Sequence, residues 1–225
     1  MAGERGLQKW KWVAFFLAPS LSGLLLFICY PILSSFWLAF NDWNLLTAPE
    51  FVGLANFEEL LGDAAFWSAL RYTVTFIALY VPLVFVLGLG LALFLNRRAR
   101  GMLAVRTATF LPVVASWVVV SLIWKWIFNP SYGLVNYGLK LIGIEGPAWL
   151  FEPQTAVYAM VITSVWKDVG YVALLYLGGL QGISETYYEA ARIDGATRWK
   201  SLRHITLPLL SPTMFFVAIT LLMNY

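Results

Sequence analysis

The sequence predicts an all-α membrane protein, a bundle of apolar helices that crosses the bilayer several times. Three observations carry that prediction. Of 225 residues, 60% are hydrophobic and only 12% charged, with a mean hydropathy of +0.74, which excludes an ordinary soluble domain. Five stretches stay apolar over roughly 20 residues, the length a helix needs to cross the hydrocarbon core. The basic residues gather in alternate connections between those stretches, as they do where positive charge is kept on the cytoplasmic side. The net charge of +3 therefore reports topology and gives no reason to expect nucleic acid as a partner.

The first span covers residues 13–40, with Lys11 between Trp10 and Trp12 at its entry and Pro31 inside it. Its charged lead resembles that of a signal peptide. The apolar run is too long for one, and no small-x-small cleavage site follows promptly, so an uncleaved helix is expected. Further spans are expected at residues 69–95, 108–128 and 155–180, and a fifth over 205–225 is still apolar at Tyr225. Residues 1–12 then form an N-terminal cytoplasmic segment, and residues 13–225 a single transmembrane domain. Kinks are expected at Pro82, Pro112 and Pro208, and close helix approach at Gly88, Gly90, Gly178 and Gly179. The single cysteine, Cys29, excludes a disulfide framework and a thiolate metal site and reads as a packed or lipid-facing thiol.

Orientation follows from the cations. Arg5, Lys9 and Lys11 precede the first span, Arg97, Arg98, Arg100 and Arg106 follow the second, and Arg192, Arg198, Lys200 and Arg203 follow the fourth. All three segments share one side, so the N-terminus is expected in the cytoplasm of a multi-pass inner-membrane protein. Residues 41–66 hold Asp42, Glu50, Glu58, Glu59 and Asp63 with no Lys or Arg, and residues 129–153 hold only Lys140 beside Glu145 and Glu152. These are the external segments. A short amphipathic surface helix is expected near residues 57–61, and Asn129-Pro130, Gly133, Gly143 and Gly146-Pro147 predict turns in the second.

Enzyme chemistry finds no support. A phosphate loop needs a second glycine where Lys200 stands, five residues after Gly195, so ATP is not bound by that route. One histidine, His204, rules out a His-Glu-x-x-His zinc site, and its place beside Arg203 reads as a membrane-interface residue. No metal and no cofactor are expected in this chain. In the fourth span Lys167 and Asp168 are conspicuous, because a charge near mid-bilayer costs about 2.5–3.5 kcal/mol on an insertion scale. Such residues face protein or a water-filled cavity, and two readings stay open: compensation by other helices in the complex, or a place beside a translocation path. Adjacent helical residues point about 100° apart, so the two need not pair with each other.

The polar stretch between the fourth and fifth spans, residues 181–204, is the most informative. Ser184 is placed to cap a helix starting at Glu185, with Glu185 and Glu189 toward its positive end. Gly195 supplies the left-handed position that stops it, and Thr197 caps a second helix carrying Arg198, Lys200 and Arg203 back into the apolar fifth span. Glu189-Ala190-Ala191, then Asp194-Gly195-Ala196, then Ile205-x-Leu207-Pro208 and Pro212 resemble the cytoplasmic EAA loop of permease subunits of binding-protein-dependent ABC importers. The resemblance runs along most of the chain: Tyr30-Pro31, Asp42-Trp43, Phe51-Val52-Gly53-Leu54-x-Asn56-Phe57, Phe110-Leu111-Pro112, Trp166-Lys167 and Gly178-Gly179-Leu180-Gln181 resemble the carbohydrate-uptake branch, whose members take up sugars, oligosaccharides and glycerol phosphates.

What this resemblance implies is the type I permease fold and a heteromeric importer. Its parts would be two permease subunits, two cytoplasmic ATP-binding cassette subunits that hold ATP and Mg²⁺, and an extracytoplasmic solute-binding protein, set in membrane lipid. Residues Glu189, Ala190, Ala191, Asp194, Gly195 and Ala196 would form the coupling element that seats on an ATPase subunit, with Glu189 meeting a basic group there. The family commonly has a sixth span, so one is expected beyond residue 225. Two rivals belong to other classes. A secondary transporter would need repeated halves with discontinuous helices, and the sequence shows no such repeat; a non-transporting scaffold would need no ATPase in its company.

Overall fold

The computed structural model describes residues 2–97 and 99–223, with residues 2–9 described by their backbone alone. Its contacts divide it into two units, Met1–Ala69 and Leu70–Tyr225.

In the first unit, α1 (Ala2–Leu24), a π-turn (Leu25–Cys29) and α2 (Tyr30–Leu38) make one helical run, apolar enough to cross a membrane over Trp10–Leu38. Helix starts well before residue 13. The π-turn has a local cause. Pro31 has no N–H to offer Phe27, and its ring would press on that carbonyl in a regular α-helix. Widening the preceding turn, so that the Tyr30 amide bonds Leu25 O, relieves both problems. Phe15, Phe16, Phe27, Leu33 and Phe36 stand exposed along the run, as suits a helix surrounded by lipid or by another chain. Beyond α2, β1 (Asn41–Asp42) and β2 (Glu50–Phe51) pair antiparallel, Asn41 opposite Phe51 and Asp42 opposite Glu50. α3 (Ala55–Gly62) follows, covering the stretch where a surface helix was expected. Asn56 on α3 donates through Nδ2 to the carbonyls of Ala39 and Asn41, 3.0 Å each, and fastens the hairpin to the end of the helical run. Next comes α4 (Ala64–Leu95), which begins in this unit, belongs to the second from Leu70 on, and passes Pro82 without interruption. Pro82 removes one backbone donor from this helix without ending it.

In the second unit, α5 (Met102–Val114) and α6 (Trp117–Ile127) occupy the expected third span. They meet at a 97° bend. After them come α7 (Leu134–Leu141) and α8 (Pro153–Gln181), then α9 (Glu185–Ile193), α10 (Arg198–Ser201), a second π-turn (Leu202–Thr206) and α11 (Leu207–Met223). The last three make one run, Arg198–Met223, of membrane-crossing length. Its π-turn sits immediately before Leu207-Pro208, the same solution as at Tyr30-Pro31.

Helix α8 forms the centre of this unit. Its Val172, Ala173, Tyr176 and Leu180 are buried together with Tyr80 and Val84 of α4 and Leu210 and Val217 of α11. Glycine sets the spacing at three places: a methyl at Gly88 would overlap Val172, one at Gly170 the Thr109 carbonyl, and one at Gly179 Thr213 and Leu210. Gly90 and Gly178 face open space instead. The expectation of four close approaches thus fails for two, because Gly90 is rotated by about 200° and Gly178 by about 100° from its partner glycine. Between α6 and α8, Asn136 of α7 is the staple. Its Nδ2 donates to the carbonyls of Pro130 and Pro147, and its Oδ1 accepts from Trp149 Nε1 at 2.6 Å.

Candidate functional site

The polar loop folds almost entirely on its own local chemistry. Ser184 caps α9 by accepting from the Thr186 amide. At the other end Gly195 sits at φ +72°. The Ala196 amide bonds Ala191 O at 2.8 Å and the Gly195 amide bonds Arg192 O at 3.1 Å. This pair of bonds is a Schellman motif, and it uses carbonyls that would otherwise lack donors. Thr197 then caps α10 by accepting from the Lys200 amide. Four residues, 194–197, join the two helices, and glycine suits residue 195 because most residues with a Cβ are strained in the left-handed region.

One face of α9 is turned outward. Glu189, Ala190 and Ile193, spaced as neighbours on a helix, are exposed, Ile193 by 87%. Asp194, Gly195 and Trp199 extend the exposed surface, with Trp199 69% exposed. Ala191 and Ala196 are half-buried. The opposite face is tied down: Tyr188 is half-buried, and its hydroxyl bonds Thr206 Oγ1 at 3.0 Å in the π-turn at the base of α11. A cleft of about 750 Å³ lies beside α9, lined by Arg97, Arg106, Gln181, Tyr188, Glu189 and Arg192 among others. Arg106 donates from Nε and Nη2 to Leu95 O, which serves a carbonyl left over at the end of α4. Arg98 lies outside the described residues. Tyr188, Ile193, Trp199 and Thr206 were not singled out from sequence. The spacing of Glu189, Ala190 and Ile193 on one helical face was the available signal for Ile193, while the Tyr188–Thr206 bond spans eighteen residues and leaves no local mark.

Lys167 and Asp168 do not pair; they serve different helices. Asp168 Oδ2 accepts from Tyr80 OH of α4 at 2.9 Å. Lys167 is buried, 6% exposed, and its ammonium donates to the carbonyls of Pro112 (3.4 Å), Val113 (3.2 Å) and Ala115 (3.1 Å) at the bend between α5 and α6. The same ammonium lies 5.0 Å from the centre of the Trp117 ring. The carbonyls of this chain's own bent span thus serve as acceptors for the Lys167 ammonium. The bend abuts a cavity of about 570 Å³ lined by Tyr72, Phe76, Trp117, Val157, Met160 and Ser164 among others. A smaller one of about 210 Å³ shares Trp117, Met160 and Ser164 with it and is also lined by Trp124, whose buried Nε1–H has no partner among the described residues. Among those residues no cluster of His, Cys, Asp and Glu could hold a metal ion.

Residues 85–224 match the family described as the binding-protein-dependent transport system inner membrane component. The chain belongs to that family. The matched stretch contains the bent span, α8 and the whole polar loop. Among relatives, the trehalose/maltose transport system permease protein of Thermococcus litoralis is 37% identical over 90% of this chain and 69% of its own length. The lactose transport system permease protein of Rhizobium radiobacter is 37% identical over 91% of this chain and 69% of its own. Among solved structures, a bacterial ABC transporter involved in import of the acidic polysaccharide alginate superimposes with a TM-score of 0.83 at 27% identity, over 99% of this chain and 76% of that one. The alginate transporter has also been seen in complex with a periplasmic protein bound to an alginate pentasaccharide, and that chain gives a TM-score of 0.83 at 26% identity, over 97% of this chain and 73% of that one. The fold is therefore that of an ABC importer permease, and the chain is a multi-pass component of the inner membrane.

Proposed function

We propose that this chain is one permease half of an ATP-driven importer that moves a carbohydrate across the cytoplasmic membrane. It is driven by a separate ATPase through the loop carrying Glu189-Ala190-Ala191 and Asp194-Gly195-Ala196. The observation that carries the reading is the two-sided build of α9. Its outward face offers Glu189, Ala190 and Ile193 to a partner, and its inward face is bonded by Tyr188 to Thr206 at the base of α11. A push on the outer face therefore reaches the last span, and through the α8–α11 contact at Gly179 it reaches the core.

In this reading the N-terminus and residues 181–204 are cytoplasmic, and the bent pair α5–α6 counts as one of five spans. ATP and Mg²⁺ belong to the cassette subunits, so hydrolysis is not an activity of this chain. A second permease completes the path, and an extracytoplasmic solute-binding protein delivers the cargo. The names of the relatives favour sugars as that cargo. The lining of the two cavities fits it, since Trp117 and Trp124 offer flat apolar faces of the kind that stack on sugar rings. Lys167 contributes to such a path through the bend it holds, because its three donors already have acceptors.

Co-expression of the permease with its candidate ATPase, followed by pull-down, tests the reading. The wild type is expected to retain the ATPase and Glu189→Ala to lose it. If no ATPase is retained by the wild type, or Glu189→Ala holds it and supports uptake normally, a membrane scaffold becomes the better description.

A further inference from the structure

The third span is broken in the one solvent where a break is most costly. A helix end leaves up to four carbonyls without intrahelical donors, and in hydrocarbon no water replaces them. An ammonium buried at the same depth has the converse need, three donors without acceptors. At the bend these two deficits meet. Lys167 donates to Pro112 O, Val113 O and Ala115 O, and the Pro112 carbonyl also accepts from the Ala115 amide at 3.3 Å. The charge lies at the C-terminal end of α5, the end whose dipole favours a cation. It also lies over the face of Trp117, the first residue of α6.

The far side of the break is closed locally. Ser116 caps α6 by accepting from the Val119 amide. One turn along α8 from Lys167, Gly170 lies against Thr109 of α5, where a methyl would overlap the Thr109 carbonyl. Gly170 thus sets how near α5 runs to α8, and that nearness lets the lysine reach past the end of α5. Asp168, next in sequence, is bonded to Tyr80 of α4, so one turn of α8 grips α4 and the bent span together.

We infer that Lys167 is a positioning residue for transport. It clasps the broken third span at its bend and thereby holds Trp117 at the wall of the 570 Å³ cavity. It acts through the backbone of residues 112–115 and through Trp117, not by contact with solute. Because α8 continues through Gln181 toward the loop that begins at Ser184, a displacement of α8 moves the clasp and Trp117 with it. The part played in uptake rests on the importer reading; the bend itself does not.

The test reads the bend directly. In a Cys29→Ser background, spin labels at Leu103→Cys on α5 and Leu122→Cys on α6, both exposed positions, report the distance between the two halves in nanodisc-embedded, full-length permease with its co-purifying subunits. The clasp predicts a narrow distribution in the unaltered lysine background. Lys167→Met should shift it to longer distances and broaden it, and Lys167→Arg should restore the narrow distribution. If Lys167→Met does not insert, Lys167→Gln, neutral and one atom shorter, should give the same shift. An unchanged distribution in the Met or Gln variant overturns the clasp, as does an Arg variant no narrower than the Met variant. Uptake of radiolabelled maltose per ATP hydrolysed, measured on the same complexes, is the second arm. A shifted bend with lower uptake per ATP supports the positioning role, whereas a shifted bend with unchanged uptake per ATP overturns it. Failure of the wild type to hydrolyse ATP or take up maltose counts against the importer or substrate reading and leaves the spin-label result to judge the clasp.

Discussion

The coupling loop and the bend of the third span are both helix interruptions, and they are built in opposite ways. At the loop, every capping partner lies within five residues: Ser184 with Thr186, Ala191 with Ala196, Arg192 with Gly195, Thr197 with Lys200. At the bend the C-terminal carbonyls of α5 are served from more than fifty residues away, by Lys167. The difference follows from solvent. An exposed turn can leave some carbonyls to water and needs only enough capping to fix its direction. A break inside the bilayer must satisfy its carbonyls with protein, and a buried cation is the densest source of donors. The loop should therefore tolerate changes that alter what it touches, while the bend should tolerate almost none that alter spacing.

The largest effect is expected where that spacing is set. Gly170→Val places two methyl groups on the Thr109 carbonyl, and forcing extra volume into a packed contact costs about 1–3 kcal/mol or more. It should lower the yield and the thermal midpoint of detergent-purified permease, with Gly178→Val, which meets open space, as the control. Equal loss in both would break the comparison. Next comes Gly195→Val at φ +72°, where a residue with a Cβ costs about 1–2 kcal/mol in the left-handed region and a β-branched one more. The strain is confined to the turn, so insertion should survive while ATPase retention and uptake fall. A smaller effect is expected from Tyr188→Phe, which removes one hydrogen bond worth about 0.5–1.5 kcal/mol. If α9 passes force to α11 through that bond, ATP hydrolysis in the complex should persist while solute moved per ATP declines. Retained coupling would show that the backbone at residues 195–201 carries the force alone.

The same contrast explains what could be read in advance. Ser184, Gly195 and Thr197 act through their own turns, so their roles were visible as residue types at fixed offsets. A distortion was expected at Pro208, while Pro31 was noted only as lying inside the first span; the local answer at both, a widened turn, is a matter of backbone relief that no residue type announces. Pro112 pointed to a kink in the third span, and the span does bend just after it, but the size of that bend, 97°, is not written in the proline. What the neighbourhood of Pro112 does not reveal is the partner: Lys167 reaches the bend from α8, more than fifty residues on. Likewise Gly88 and Gly179 pack while Gly90 and Gly178 do not. Composition shows that small residues are present, but which one faces a neighbour depends on the rotation of the whole helix.

Glu189→Ala should have the smallest effect on the molecule and the sharpest on its function. Glu189 is exposed, at the edge of the cleft it lines beside Tyr188. Surface substitutions of this kind change stability by about 0.5 kcal/mol or less, and alanine is the better helix former. The thermal midpoint of the purified permease should therefore stay within error of the wild type, and Tyr188 should still reach Thr206. A fall in ATPase retention against that unchanged background would assign the loss to the docking face alone. Ile193→Ser, on the same face and 87% exposed, supplies the apolar half of the test. An ATPase that seats on this surface should be weakened by either change, whereas a partner held by charge alone would ignore the isoleucine.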